Sequence, residues 1–394
     1  MRLVIYSHHF APSVGGVESS VQTLATGLAT RVVAKKGTQF EIVVVTQTAS
    51  GMFDDRALPF RIVRKPSLFE LIRVIRDCDV AHIAGPAMLP LIVSRALKKP
   101  TVVEHHGYQA ICPNGALWRQ PDGDICPGHF QSGHFASCIR CCQAETSLPR
   151  SVSALFLTGL RSWLCEGVKN VAISHHVGKR HALPETQVIY YGVRDLLEGG
   201  SILLPRAGLP NRICFAYVGR LVPEKGVSIL LEAAQLLRDE DLTFEILLVG
   251  DGPQRKQLEA QIRRNGLDSY ARLTGFLRGM ELESTLEMVH AVVMPSIVEE
   301  TAGLAAIEQM IRGRLVIASC IGGLPEIVGQ AGLLFPPRDV VALAACMKRV
   351  IADPNLVVTL GATARKRALE FFGYARTLEE HAQLYSKLIE SPLC

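Results

Sequence analysis

Short apolar runs alternate along the chain with longer stretches in which apolar residues recur every three or four positions. The short runs predict buried strands, and the longer stretches predict amphipathic helices. Such alternation predicts parallel sheets with helices on both faces, and ligand sites at the carboxyl ends of the strands. The predicted strands are 3–7, 40–46, 62–63, 80–84, 101–105, 171–174, 188–191, 213–218, 244–249, 273–276, 289–294, 315–319 and 332–335.

The helical pattern recurs between these strands and dominates the end of the chain. The predicted helices are 19–29, 68–77, 88–97, 150–169, 227–238, a segment that begins at Gly303 and ends near Gly313, 340–352, 354–371 and 374–389. A chain of 394 residues exceeds what one core usually serves. Residues 194–211 are rich in Gly and Pro and have no clear periodicity, so we predict a linker there between two α/β domains.

The pattern of residues 289–328 predicts a strand, a polar turn, a helix and a further strand. Glu300 and Glu308, with seven residues between them, bracket the helix start. The first amides of a helix carry partial positive charge, so a diphosphate can bind at Gly303 and Leu304. Glu308 is then placed to reach the sugar hydroxyls of a nucleotide, and Glu300 to face a second sugar. Alternatively, both glutamates merely stabilise the helix start.

Two other loops join a predicted strand to a helix. Gly15 and Gly16 follow the first strand, where a glycine pair lets a ligand approach the backbone, although a tight turn explains the pair equally well. The fingerprint G-x-G-x-x-G is absent from this loop, which argues against a dehydrogenase. Arg220 and Lys225 follow strand 213–218, where they either clamp a diphosphate or are ordinary surface charges.

His106 lies at the carboxyl end of strand 101–105. A histidine at this edge can transfer protons or donate hydrogen bonds near neutral pH, and the alternative is a histidine packed in a loop.

Four motifs in this sequence resemble those of the family 4 retaining glycosyltransferases, which have the two-domain GT-B fold. ETAGLAAIE at 300–308 resembles E-x-F-G-x-x-x-x-E, with Ala302 in place of Phe. GRLVPEKG at 219–226 resembles G-R-L-x-x-x-K-G, and GGLPE at 322–326 resembles G-G-x-P-E. HGYQAICP, which begins at His106, resembles H-D-Y-W-x-x-C-P with Gly in place of Asp.

The resemblance covers the whole chain, more loosely before residue 213, where Tyr191 replaces the usual Asn of an N-G-V motif. It implies two Rossmann-like, doubly wound parallel-sheet domains facing across a cleft. The N-terminal, acceptor-side domain would span 1–193 and the C-terminal donor domain 212–373. The last helix, about 374–394, would cross back to the first domain.

The resemblance also implies roles for the candidate residues. His106 would border the donor sugar, Glu300 would face the transferred sugar, and the diphosphate would be held by Arg220 and Lys225. These four are the predicted catalytic residues. The predicted donor-binding residues are Gly16, Gly219, Arg220, Lys225, Gly303, Leu304 and Glu308.

Five of the eleven cysteines lie within 31 residues: Cys112, Cys126, Cys138, Cys141 and Cys142. All but Cys142 are predicted ligands of a structural zinc ion, because Cys138 and Cys141 have the spacing of a metal knuckle. His129 and His134 are alternative ligands, and free loop thiols are the alternative to a metal site. No metal is expected to be required for the chemistry, since the family does not need one.

The net charge and the length of the apolar runs limit the kinds of partner and the location that we expect. A net charge of +5 fits anionic ligands or an anionic membrane surface but is too small to indicate nucleic acid. No apolar run reaches the roughly 20 residues that span a bilayer, and the N-terminus lacks the core of a signal peptide. We therefore expect a cytoplasmic protein. Helix 150–169 either packs on the core or contacts the inner face of the membrane peripherally.

The sequence thus predicts a retaining glycosyltransferase that moves a sugar from a nucleotide-diphosphate sugar to a glycan or lipid-linked glycan. One alternative is a sugar-nucleotide epimerase with the same fold. The other is a zinc-containing sugar-nucleotide-binding protein without transferase activity.

Overall fold

The computed structural model describes residues 1–13, 15–30, 39–51, 53–120, 122–195 and 212–390. The chain forms two compact units, Met1–Gly192 together with Tyr374–Cys394, and Val193–Gly373. Most of the predicted linker, residues 196–211, lies outside the described residues, as do residues 391–394, which were included in the predicted last helix.

The N-terminal unit contains a parallel sheet and a small antiparallel hairpin. Its strands are β1 (Arg2–Ser7), β2 (Glu41–Thr46), β3 (Arg61–Arg64), β4 (Val80–Ala84), β5 (Thr101–His105), β6 (Trp118–Arg119), β7 (Asp124–Ile125), β8 (Lys169–Ala172) and β9 (Gln187–Val188). The seven-stranded sheet has the order β3-β2-β1-β4-β5-β8-β9, and β6 pairs with β7. Ser7 pairs with Thr46 on one side and Ala84 on the other, so the strand ends align at one edge.

Helices cover both faces of this sheet. They are α1 (Gly16–Thr30), α2 (Leu68–Arg76), α3 (Met88–Ala96), α4 (Phe135–Gln143), α5 (Leu148–Glu166) and α6 (His175–His181). One core cluster joins the sheet to α2, α3 and α5, and another joins it to α1 and the final helix.

The C-terminal unit is a second doubly wound sheet. Its strands are β10 (Ile213–Val218), β11 (Phe244–Val249), β12 (Ala271–Gly275), β13 (Ala291–Met294), β14 (Leu315–Ser319) and β15 (Leu333–Phe335). Its helices are α7 (Val227–Asp239), α8 (Arg255–Arg264), α9 (Gly279–Leu286), α10 (Leu304–Ile311), α11 (Leu324–Val328), α12 (Val340–Ala352) and α13 (Asn355–Phe371). The parallel order is β12-β11-β10-β13-β14-β15. The order reverses between β10 and β13, so their loops flank the crevice where such sheets bind ligands.

The last helix, α14 (Tyr374–Glu390), belongs to the N-terminal unit. Its buried residues include Leu378, Ala382 and Tyr385, which join the core cluster of α1 and β1. The Tyr374 hydroxyl donates to the carbonyl of Thr23 on α1. Within the described residues, no helix combines the length and the apolar character needed to cross a membrane.

The predicted architecture of two doubly wound parallel sheets is confirmed. The segment predicted to lack periodicity nevertheless contains α4, which buries Cys138 and Cys142 one turn apart. The pattern also missed α8, which is largely polar and buries only Leu258, Gln261 and Ile262. Short or polar helices carry too few apolar positions for the period to show. The other unpredicted elements are α6, α9, α11 and the β6–β7 hairpin.

Candidate active site

The loops after β10 and β13 touch each other at the reversal of strand order. Gly226 adopts a positive φ of 65°, and a Cβ there would lie only 2.0 Å from the carbonyl oxygen of Pro295. The amide of Ile297 donates to the carbonyl oxygen of Glu224 at 3.0 Å. A glycine is therefore required where the second loop presses on the first.

This contact brings Lys225 to Glu300, 75 residues later in the chain. The Lys225 ammonium lies 2.5 Å from Oε1 of Glu300, and the Ser296 hydroxyl donates to the same oxygen at 2.5 Å. Burial alone would raise the pKa of Glu300, but the charge of Lys225 and both hydrogen bonds outweigh burial and hold the pKa below its usual range. Glu300 is therefore an ionised, oriented carboxylate at neutral pH.

The backbone of Glu300 is supported by the turn that carries the G-G-x-P-E motif. The amide of Gly323 donates to the carbonyl oxygen of Glu300 at 2.6 Å. Gly322 has a positive φ of 62°, and a Cβ there would lie 2.4 Å from the amide nitrogen of Glu300. The two glycines thus let the turn after β14 pack directly against the Glu300 loop.

Arg220 lies on the first loop, immediately after Gly219. Its side chain is exposed, and among the described residues no carboxylate pairs with it. Its charge nevertheless contributes to lowering the pKa of Glu300. The Tyr217 hydroxyl donates to the backbone carbonyl of Arg220 at 2.6 Å, which anchors the loop while leaving the guanidinium available to an anion.

Helix α10 begins beside Glu300 with two N–H groups available to a ligand. Gly303 precedes the helix in the left-handed conformation, with φ 57°. In the part of the chain that the structure describes, the amides of Gly303 and Leu304 have no backbone acceptor. Ala302, which replaces the usual Phe of the motif, is buried. Two amides without a backbone acceptor at a helix start suit an anion, and diphosphate binding there stays a prediction.

Glu308 lies one turn further along α10 and is half-buried. Burial raises the pKa of Glu308; Arg312 counteracts this and Glu283 adds to it. Arg312 binds Glu283 through its guanidinium, and it reaches only the backbone carbonyl of Glu308. No described side chain donates to the Glu308 carboxylate, which leaves it free to accept hydrogen bonds from a ligand.

The remaining predicted site residues, Gly16 and His106, belong to the N-terminal unit. Gly16 is the first residue of α1, directly after the β1 loop. The side chain of His106 is only 5% exposed, with Nδ1 2.6 Å from the hydroxyl of Tyr191 and Nε2 3.3 Å from Oε2 of Glu104. Burial lowers the pKa of His106, although Glu104 opposes this, so the ring is neutral at neutral pH.

Tyr191, the departure from the N-G-V motif, thus orients the predicted catalytic histidine. The Tyr191 hydroxyl contacts Nδ1, and the Glu104 carboxylate lies on the Nε2 side of the ring. Both ring nitrogens face groups of the N-terminal unit.

Glu104 is the centre of a buried polar cluster that the sequence interpretation missed. Its Oε2 lies 3.2 Å from Nε2 of His82, and its Oε1 lies 3.6 Å from Nε2 of His381 on α14. The Tyr385 hydroxyl lies 2.8 Å from Nδ1 of His82. Burial alone would raise the pKa of Glu104, but the surrounding histidines hold it well below its usual range. The sequence feature that could have revealed this cluster is a carboxylate within the apolar strand VVEH.

Replacing Glu104 with glutamine is expected to lower the free energy of unfolding at pH 7 by about 3 kcal/mol, because a buried charge cluster loses its anion. The folded-state pKa of Glu104 lies below its unfolded value, so its contribution is present above the unfolded pKa of about 4.3 and is lost as pH falls through the folded pKa. Denaturant unfolding of the variant and wild type should therefore converge at low pH.

Glu41→Gln is the matched control for this variant. Glu41 pairs with Arg2 on the surface, and its side chain is 67% exposed. This control should change stability by less than about 1 kcal/mol. An unfolding midpoint for Glu104→Gln that equals that of the control at every pH would contradict the structural role of the cluster.

The five cysteines of the predicted metal region line one small cavity of about 20 Å³, together with His129. Burial raises the pKa of the Cys138 thiol to about 12, and the neighbouring cysteines add to the shift. In the described residues, however, no three His, Cys, Asp or Glu side chains are arranged to hold a metal ion. The thiols converge, but their present arrangement does not fit zinc coordination.

A structural zinc ion would require these thiols to move closer together, and we propose such a site as separate from the chemistry. Elemental analysis of protein purified without chelators should give about one zinc per chain if Cys112, Cys126, Cys138 and Cys141 close on the metal. Cys346→Ser, outside the cluster, serves as the control, while Cys138→Ser should lose the metal. A metal-free protein with a fully folded N-terminal unit would reject the zinc site.

The sequence of the C-terminal unit matches a known family over the segment that carries Arg220, Lys225 and both glutamates. Residues 212–353 match the family described as Glycosyl transferases group 1. This segment is therefore similar to a group 1 glycosyltransferase domain.

Two relatives extend the match. The chain is 37% identical over 172 residues to 2-deoxystreptamine glucosyltransferase of Streptomyces kanamyceticus, an alignment that spans 43% of each chain and thus less than half of that relative. It is 28% identical over 423 residues to glycogen synthase of Mycobacterium tuberculosis, covering 98% of this chain and 94% of the relative.

The fold has a close counterpart among solved structures. HepE of Anabaena, crystallised in complex with UDP, matches with a TM-score of 0.72 and 19% identity, covering 98% of this chain and 100% of the other. The predicted GT-B fold is confirmed by this match. The prediction of a glycosyltransferase is confirmed at the level of the group 1 domain. The assignments of individual site residues stay predictions.

Proposed function

We propose that the protein is a family 4 retaining glycosyltransferase that moves a sugar from a nucleotide-diphosphate sugar to a glycan or lipid-linked glycan. The observation that carries this proposal is the junction of the β10 and β13 loops, where Lys225 contacts Glu300 at the start of α10. Positive charge, an oriented carboxylate and a helix start meet there, as a sugar diphosphate requires.

The leaving group would be stabilised by the positive groups of this junction. The bond between the anomeric carbon and the diphosphate oxygen breaks, and its electron pair goes to the diphosphate. Arg220, Lys225 and the amides of Gly303 and Leu304 stabilise the charge that develops there. The proposal is supported by the contact between the two loops, which Gly226 and the Glu224 carbonyl hold together.

The acceptor hydroxyl would attack from the face that the diphosphate leaves, so the anomeric configuration is retained. Its proton passes to the departing phosphate oxygen, and Glu300 is not assigned as a covalent nucleophile. Glu300 faces the transferred sugar and accepts hydrogen bonds from its hydroxyls. Glu308, which has no donor among the described residues, accepts from the ribose. In the N-terminal unit, His106 is the residue that we propose to contact the sugar.

The proposal also names a donor base and a location. HepE, which shares the fold, was crystallised with UDP, so we propose a uridine diphosphate sugar as the first donor to test. A lipid-linked acceptor would place the protein in the cytoplasm, at the inner face of a membrane, with a peripheral contact.

A donor panel tests the proposed function. UDP-, GDP- and ADP-sugars are incubated with soluble and lipid-linked glycan acceptors, and products are identified by mass spectrometry. We expect a glycosylated acceptor and one equivalent of nucleoside diphosphate, both strongly reduced in Glu300→Gln. An altered sugar nucleotide formed without acceptor would instead indicate an epimerase. Donor binding without any product would indicate a binding protein.

A further inference from the structure

One face of helix α5 packs against the rest of the N-terminal unit. The opposite face carries no charged residue and has side chains exposed to solvent. Ser151, Thr158, Leu164 and Cys165 are buried. On the opposite face, Val152 is 46% exposed, Phe156 is 72% exposed and Trp163 is 58% exposed. Positions 149, 152, 153, 156, 159, 160 and 163, which share this side of the helix, carry no charged residue.

The neighbouring helix α3 continues the apolar surface. Leu89 and Ile92, one turn apart, are 48% and 43% exposed. The guanidinium of Arg95, a turn further along α3, lies 4.9 Å from the ring centre of Trp163 and donates to the Leu164 carbonyl. We call Leu89, Ile92, Val152, Phe156 and Trp163 the α3–α5 face.

One end of this face, the first turns of α3 and α5, lies beside the predicted acceptor edge. Helices that connect parallel strands begin at the carboxyl edge of the sheet, so the first turns of α3 and α5 lie there. Helix α2 begins at the same edge with Leu68 and Phe69, which are 52% and 86% exposed. Exposed apolar residues are thus concentrated where the sheet presents its ligand-binding loops.

The charged residues in and next to α3 and α5 are mostly positive. Segments 88–99 and 148–166 contain five cations, Arg95, Lys98, Lys99, Arg150 and Arg161, against one acid, Glu166. Long cationic side chains next to exposed aromatic rings suit the headgroup region of an anionic bilayer.

We propose that the α3–α5 face docks on an anionic lipid bilayer. Phe156, Val152 and Trp163 enter the boundary between headgroups and acyl chains, and the exposed cations Lys98 and Arg150 contact lipid phosphates. The two segments carry five cations and one acid, so a partner protein would have to be acidic to match them. A second copy of this chain does not match them, because the chain has a net charge of +5. The inference extends the proposed function by naming the surface on which a lipid-linked acceptor is met.

Vesicle binding tests the proposal without donor or acceptor. The full chain is sedimented with vesicles of phosphatidylglycerol and phosphatidylcholine, and with phosphatidylcholine alone. We expect binding to the anionic vesicles that weakens with salt, and a partition coefficient about tenfold lower for the double variant Val152→Ser, Phe156→Ser. Val341→Ser, which removes an exposed valine on α12 (69%) outside the α3–α5 face, should bind like wild type.

Tryptophan emission supplies a second readout. The chain has two tryptophans, so Trp118→Phe leaves Trp163 as the only emitter. Its emission should shift to shorter wavelength on addition of anionic vesicles, because the ring leaves water. An unshifted spectrum together with no sedimentation would overturn the proposal.

Two further results would also overturn it. One is unchanged vesicle binding in the double variant. The other is a dimer in light scattering that the double variant converts to monomer, because a second copy would then cover the face. Calorimetry of UDP binding, run on the same samples, reports on the proposed function separately, and UDP binding by the double variant would show that its fold persists.

Discussion

Replacing Lys225 with alanine is expected to lower kcat/KM by about ten- to a hundredfold or more and to destabilise the C-terminal unit. Each charge-assisted contact to the diphosphate contributes about 1.5–3 kcal/mol, which accounts for the loss of turnover. The loss of stability has a different origin. Lys225 lies 2.5 Å from Glu300, whose side chain is 11% exposed, so its removal leaves a buried carboxylate without its cation.

Arg220→Ala separates the two effects. Arg220 is exposed and has no carboxylate partner among the described residues, so its loss should reduce kcat/KM by a similar factor while leaving thermal unfolding unchanged. Lys256→Ala, an exposed lysine on α8, should change neither quantity. Steady-state kinetics and thermal unfolding of the three variants provide the comparison. Wild-type kcat/KM in both Lys225→Ala and Arg220→Ala would reject the diphosphate clamp.

Glu300→Gln and Glu308→Gln are expected to fail at different steps. Glu308→Gln replaces a charged acceptor by a neutral one, so nucleotide diphosphate affinity should fall by about 1.5–3 kcal/mol. Glu300→Gln should bind the nucleotide nearly as wild type and lose kcat, because Glu300 faces the transferred sugar rather than the nucleotide.

Calorimetry of UDP binding against pH makes the test sharper. Burial raises the pKa of Glu308, so the carboxyl group becomes neutral at a higher pH than usual. Wild-type affinity should therefore decline as pH falls through that raised pKa, and Glu308→Gln should remove this part of the decline. If both variants bind and turn over like wild type, the spacing of the two glutamates is only a feature of a helix start.

The local pattern of apolar and polar residues predicted most of the strands and helices. Strands such as 213–218, 244–249 and 315–319 are apolar runs buried on both faces, and the structure places them at those residues. Helices with few buried residues, such as α8, carry too weak a period to be found. Motifs likewise predicted that Arg220 and Lys225 follow a strand and that Gly303 precedes a helix carrying Glu308, and the structure has them there.

Contacts between distant segments could not be predicted from one sequence. Nothing local to Lys225 shows that its ammonium contacts Glu300, since the pair forms only when β10 and β13 become neighbours. The hydrogen bond from Ser296 to Glu300 depends on the same loop fold. In the N-terminal unit, Tyr191 appeared only as a departure from a motif, and the structure shows it bonded to His106, 85 residues away in sequence.

The stereochemistry of one product tests the central claim most directly. The transferase reaction is run with an α-linked UDP-sugar and the acceptor found in the donor panel, and the anomeric coupling of the product is measured by proton NMR before it can equilibrate. The account predicts an α-linked product and one equivalent of UDP, both lost in Glu300→Gln. A β-linked product, or an α-linked product formed equally fast by Glu300→Gln, would contradict front-face transfer at this site.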